Sequence, residues 1–96
     1  MGYSVIISSR AQKEIENAID FYALNSADAP KNFISQLKEV YDLLAINPFY
    51  RIRYKNVRAV ALKKFPHYLY YIINAKEQIV RILSCFHGRR NPNARP

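Results

Sequence analysis

Ninety-six residues suffice for one small domain, and residues 1–96 are read as a single unit with one core. Half of them are apolar, 14% are aromatic and only two are glycine, which excludes a disordered chain, a collagen-like repeat and a glycine-rich linker. The net charge is +8, but residues 1–50 carry four basic and six acidic side chains, for −2, whereas residues 51–96 carry eleven basic and only Glu77, for +10. A field segregated in this way attracts polyanions or an acidic protein, because potentials add over a surface. The lone cysteine, Cys85, rules out a disulfide framework and a cysteine-based zinc cluster. No apolar run approaches the roughly 18 residues that cross a bilayer, and Met1 to Ile7 lacks the basic flank of a signal peptide. A soluble, cytoplasmic chain without a membrane partner is expected.

In chain order, Tyr3-Ser4-Val5-Ile6-Ile7 is short and largely β-branched, which predicts a strand. Ser9 stands three residues before Gln12, the spacing of a capping box. Ala11, Ile15, Ala18, Ile19 and Tyr22 then fall on one helical face, and the helix should stop near Asn25-Ser26. Asp28 is the expected cap of a second helix, with Pro30 tolerated in its first turn. Phe33, Leu37, Val40, Tyr41 and Leu44 repeat the apolar stripe, and Asn47-Pro48 ends it, since the residue before proline is pushed out of the helical region. The two stripes imply an antiparallel helical hairpin that needs a surface to pack against.

The second half supplies that surface. Ile52 to Tyr54, Val57 to Lys64, Tyr68 to Ile73 and Ile79 to Phe86 read as strands, joined through Phe65-Pro66-His67 and Asn74 to Glu77. The last two are apolar at nearly every position, so they are expected to be central and covered on both faces. The fold class is therefore α+β: an N-terminal strand and a helical hairpin on an antiparallel sheet of about four strands. Residues 88–96, rich in arginine and asparagine with two prolines, read as an irregular tail.

No P-loop, GxGxxG, HExxH or CxxC occurs, so no cofactor is expected. Both histidines, His67 and His87, lack a nearby carboxylate in sequence, which argues against a metal site. Cys85, between Ser84 and Phe86, reads as a small buried hydrophobe, with His87 two residues on as its one possible activating neighbour. Tyrosines interleave with cations in Tyr50-Arg51-Ile52-Arg53-Tyr54-Lys55, a pattern that can stack bases and hold phosphates. Tyr22, Tyr41 and Tyr71 read as core, while Tyr50 and Tyr54 stay open. Arg58 shares a side with Val60 and Leu62 and is read as a partly buried arginine, costly without an anionic partner. The sharpest cluster is Phe86 to Pro92, where a histidine beside Arg89 and Arg90 could move a proton while the arginines hold a phosphate.

The order strand, helical hairpin, antiparallel sheet resembles the RelE/ParE superfamily of toxins from bacterial type II toxin–antitoxin systems, from the Tyr3 strand to Pro92. Three local matches accompany it: Val57-Arg58, Phe65-Pro66 followed by Tyr70-Tyr71, and the closing His87-Gly88-Arg89-Arg90-Asn91-Pro92. The last resembles the ParE-type "H-x-R-R-x-P" ending. The resemblance implies a plasmid-stabilisation toxin in a hetero-oligomeric complex with a small antitoxin whose acidic, partly disordered C-terminal region wraps along it. RelE-like members cut mRNA on the ribosome, whereas ParE-like members inhibit DNA gyrase without being nucleases. A RelE-like site would use Arg58 to orient the phosphate and His87 as acid or base. RelE-like enzymes place a tyrosine just past the last strand, and here no tyrosine follows Tyr71. That favours the ParE-like branch, with Arg51, Arg53, Lys55, Arg58, Arg89 and Arg90 as target-binding or nucleic-acid-binding cations. A basic RNA-binding module without toxicity is the reading from a different class.

Overall fold

The chain enters its first strand, β1 (Ser4–Ile7), with Val5 and Ile7 turned toward the core. A computed structural model describes residues 2–87. Ser8 still donates its N–H to the Ile82 carbonyl, 2.9 Å away, and so keeps extended dihedrals. That makes Ser8, not the expected Ser9, the cap of helix α1 (Ser9–Ala23): its Oγ accepts from the Ala11 N–H at 3.1 Å and donates to the Leu83 carbonyl. Ala11, Ile15 and Ala18 are buried, with Ile19 and Tyr22 packed beside them, as the stripe predicts.

At the start of helix α2 (Asp28–Ile46) the N-cap position is Ala27, which has no side-chain acceptor. Ser26 before it supplies one, its Oγ accepting from the Ala29 N–H at 3.0 Å. Asp28, the expected cap, is the first helical residue instead, where its negative charge favours the positive end of the helix dipole. Phe33, Leu37, Val40 and Leu44 are buried, and Asn47 turns extended ahead of Pro48.

Four strands follow: β2 (Ile52–Tyr54), β3 (Val57–Ala61), β4 (His67–Asn74) and β5 (Ile79–His87). They form the expected antiparallel run, and β1 joins it beside β5 in parallel, giving five strands in the order β1-β5-β4-β3-β2. The first strand of the pair is too short and too distant in sequence for its partner to be read from composition. β3 ends three residues earlier than expected because the Leu62 N–H closes a turn on the His67 carbonyl, with Lys64 at φ 69°. His67, expected in the connection, pairs with His87 and opens β4.

β4 and β5 are interior strands, and among the described residues both helices lie on one face of the sheet, where cover on both faces was expected. Leu69, Tyr71, Val80, Ile82 and Cys85 join the helical residues in one core. The opposite face holds an aromatic row in which Tyr70 lies 6.5 Å from Tyr68 and 6.2 Å from Phe86, ring to ring. Opposite Tyr70 and Tyr71, β5 carries one extra residue, Leu83, a bulge that lets Cys85 rather than Ser84 continue the core row. Glu14 of α1 closes this irregularity: one carboxylate oxygen accepts from Ser84 Oγ at 2.8 Å and from the Cys85 N–H at 3.0 Å.

Removing a buried stripe residue leaves a cavity, so Leu37→Ala is expected to lower stability by roughly 2–5 kcal/mol, whereas exposed Lys38→Ala should change it by less than about 0.5. Urea unfolding of both variants checks this, and equal small effects would show the stripe to be misplaced. Burial pushes the Cys85 thiol from its ordinary 9.0 up to about 12, the Glu14 carboxylate adding to the shift. It also raises the Tyr41 and Tyr71 hydroxyls from 10.0 to about 12, with the Arg58 charge opposing the rise at Tyr71. Between the ordinary and raised values the unfolded chain holds fewer protons than the folded one, so stability falls as pH rises. The contribution is complete below about pH 9 and lost toward pH 12. Urea midpoints measured from pH 7 to 12 should show that decline, and Cys85→Ala should delay its onset to about pH 10. A profile flat to pH 12 would contradict the burial of these groups.

Candidate functional site

The connection from α2 to β2 is fixed by two neighbours in register. Tyr71, fully buried in β4, donates its hydroxyl to the Pro48 carbonyl at 2.7 Å. Arg58, opposite Tyr71 on β3, donates from Nη1 to the Tyr50 carbonyl at 2.6 Å and stacks its guanidinium 5.3 Å above the Phe49 ring. Arg58 is half-buried, as its position beside Val60 and Leu62 suggests. The groups that meet it are a carbonyl and an aromatic ring rather than the anion expected from sequence.

Along the same edge, Arg51, Arg53 and Lys55 are exposed. Lys55 sits in the β2–β3 turn at φ 49°, and the Arg53 guanidinium lies 5.6 Å over the Tyr68 ring on the helix-free face. The structure therefore gathers Arg51, Arg53, Lys55 and Arg58 at the β2–β3 end of the sheet. Tyr50 and Tyr54 belong to this edge too, the former still 38% exposed beside the fixed linker. Arg89 and Arg90, with the rest of the closing motif after His87, lie outside the described residues.

His87 ends β5 at another place. Its ring meets that of His67 edge-on at 5.0 Å. His67 is buried, with Nε2 3.1 Å from the Tyr22 hydroxyl and Nδ1 3.9 Å from Cys85 Sγ. His67, Cys85 and His87, with Glu14, Asn17 and Phe21, line an open cavity of about 200 Å³. Cys85 lies at its floor with a raised pKa, which removes the thiolate a nucleophile needs. Among the described residues no group of three or more His, Cys, Asp or Glu is placed to hold a metal ion, and no helix is long and apolar enough to cross a membrane.

His87 and Arg58 are not brought together. Arg58 faces Tyr71 and His87 faces His67, four residues apart on β4, or about 13 Å along the strand, with β4 itself between their two strands. His67 was expected in the connection because it follows Phe65-Pro66, a turn signal, and not in β4 beside His87. Its alternation with Leu69 and Tyr71 was the available clue.

Comparison with known proteins places the fold. No individual curated protein matches the chain by sequence. The toxin–antitoxin structure described as the chromosomal ParDE system from P. aeruginosa is similar with a TM-score of 0.70 at 14% identity, over 88% of this chain and 95% of that one. The RelBE2 toxin–antitoxin complex from Mycobacterium tuberculosis gives 0.63 at 15% identity, over 91% and 92%. A mutant of the E. coli toxin RelE in the free state gives 0.57 at 16%, over 96% and 90%. The profile of the family described as the ParE toxin of the type II toxin–antitoxin system, parDE, matches residues 5–92, and the chain belongs to that family.

Proposed function

We propose that this chain inhibits growth by binding a protein target, DNA gyrase, rather than by cutting RNA. Until released, it is held in a cytoplasmic hetero-oligomeric complex by a small acidic antitoxin. The observation that carries the reading is the separation of Arg58 from His87. A nuclease of the resembled type needs a phosphate-holding arginine and a proton-transferring group within reach of one scissile phosphate, a span of a few ångströms. Here the arginine is engaged in holding the α2–β2 linker, and the histidine stands about 13 Å further along the sheet. No tyrosine follows Tyr71 to replace it. What remains is a basic edge (Arg51, Arg53, Lys55, Arg58) suited to contact with an anionic surface, with Arg89 and Arg90 proposed as its extension from sequence.

The deciding experiment pairs two assays of the purified chain: gyrase supercoiling of relaxed plasmid, and cleavage of mRNA on programmed ribosomes. Supercoiling should be inhibited and the mRNA left intact, and His87→Gln should leave the inhibition close to normal. Ribosome-dependent cleavage that drops about 10²–10⁴-fold on His87→Gln would establish the nuclease reading instead. Absence of any effect on growth would favour the basic RNA-binding module.

The antitoxin should associate across the second half of the chain, which holds one acid against eleven basic residues. Its on-rate should fall as salt rises, because exposed charges are screened beyond about 8 Å at physiological ionic strength. Stopped-flow association at increasing sodium chloride measures this; an on-rate indifferent to salt would remove the electrostatic part.

A further inference from the structure

The two edges of the sheet differ in chemistry. β2, at one edge, carries Arg53 with Arg51 and Lys55 flanking it, and such cations keep a further strand from pairing there. β1, at the other, lies within a stretch from Gly2 to Ser9 that holds no charged residue and no proline. An edge strand without such guards is an open template for another strand.

The backbone of β1 is only half used. The strand runs parallel to β5, with Ser4 opposite Ile79 and Ile7 opposite Ile82. Ser4 and Ser8 donate their N–H groups to the Gln78 and Ile82 carbonyls, both at 2.9 Å, so Ile6, between them in the same phase, also turns its backbone groups to β5. Val5 and Ile7 have the opposite phase and turn their N–H and C=O groups outward. Helix α2 does not take them, because it reaches the strand at Tyr3, whose N–H goes to the Ala45 carbonyl at 2.7 Å. Among the described residues neither Val5 nor Ile7 has a backbone partner on the outer side.

That spacing is complementary to itself. In an antiparallel pair two residues exchange both N–H···O bonds when each turns its groups toward the other strand. About a two-fold axis through Ile6, Val5 of one copy meets Ile7 of the other, and the reverse, so every outward group finds a partner. Ile6, 39% exposed on the helix-free face, then stands opposite its own copy. The charges near the strand ends suit the same sense. Asp42, three residues before Ala45, is exposed at the entry to β1, and Arg10 is exposed just past its exit. Two-fold pairing sets each entry beside the other copy's exit, so opposite charges approach on both sides of the axis. Arg81, one strand in from Ile6, stays about 14 Å from its copy, beyond the screening length of about 8 Å.

We propose that the outer edge of β1 is the docking site for a second copy of this chain. The two β1 strands pair antiparallel about a two-fold axis through Ile6 and join the two sheets into one. The contact is short and each chain brings a net charge of +8, so the dimer is weak at low salt and strengthens as salt screens that repulsion. This is the opposite trend from the acidic antitoxin, and it holds whatever the chain's target.

Sedimentation equilibrium of the full chain should show monomer and dimer in exchange, with the dimer favoured as sodium chloride rises. Ile6→Lys and Ile6→Glu, each alone, should weaken the dimer about tenfold or more, because like charges then face each other across the axis. Their thermal stability should stay close to that of the parent chain. An equimolar mixture of the two variants should dimerise again, which only a contact of position 6 with itself predicts. Leu24→Lys, at an exposed apolar site on the helical-hairpin tip, should leave the dimer unaltered. In amide hydrogen exchange Val5 and Ile7 should gain protection as the chain is concentrated, whereas Ile6 should be protected throughout by β5. A chain that stays monomeric at every concentration and salt would overturn the proposal. So would a dimer indifferent to both Ile6 variants, or a mixture that fails to recover, since the interface would then lie elsewhere. Should the Ile6 variants unfold, exchange in the parent chain decides: protection of Val5 and Ile7 that does not change with concentration refutes the pairing.

Discussion

A single phenol, the hydroxyl of Tyr71 on the Pro48 carbonyl, sets the position of most of what surrounds it. The Tyr71 ring is fully buried, so its hydroxyl needs an acceptor inside the protein, and leaving such a group unpaired costs about 1–3 kcal/mol. Carbonyls within a helix are engaged by their own ladder. The acceptor that remains comes from the break that Pro48 imposes, where Asn47 has turned extended and the chain has left α2. Fixing that carbonyl fixes where the linker crosses the end of the sheet. Arg58, opposite Tyr71, then holds Tyr50 and delivers the chain to β2 at the sheet edge.

The other helix is attached by a different polar group at a different place. Glu14 reaches from α1 to the bulge in β5, supplying an acceptor to the Cys85 N–H and to Ser84 Oγ, and is itself 3.5 Å from Arg10. Between Glu14 and Tyr71 the interface is mostly apolar, with the Tyr22–His67 contact as a further polar point. Its apolar part would tolerate sliding, since hydrophobic contact is not directional. The polar attachments at Glu14 and Tyr71 help remove that freedom. They also separate the surfaces: the Glu14 end carries the His67, Cys85 and His87 cavity, and the Tyr71 and Arg58 pair supports the linker and the basic edge.

The helices were legible in the sequence because their burial has period 3.6 and local causes. Leu37, Val40 and Leu44 are buried where the stripe puts them. Features set by distant partners were not. Ser8 caps α1 in place of Ser9 because the pairing of Ser8 with Ile82, 74 positions away, holds it extended. The parallel seat of β1 and the extra Leu83 have the same origin, and the bulge shifts the alternation that would have assigned Ser84 to the core row. The candidate site divides similarly. Proximity in sequence sufficed to group Arg51, Arg53 and Lys55. The distance between Arg58 and His87 depends on strand register, which alternation alone does not fix.

Arg58 shows why the register matters for function. Read from sequence, it is a cation poised for a phosphate, and its removal would abolish any activity that uses one. In the structure it is a clamp on the Tyr50 carbonyl and a lid on the Phe49 ring, so removing it also releases the linker that leads into the basic edge. Lysine would keep the charge but lose the planar stack and the directed N–H, and so would separate the two roles. A function that survives Arg58→Lys depends on charge at the edge. One that fails there, while the exposed Arg51 and Arg53 can be exchanged for lysine freely, depends on the linker being held in place. The basic edge and the clamp share one guanidinium, and the shape of the surface is as much its product as the charge.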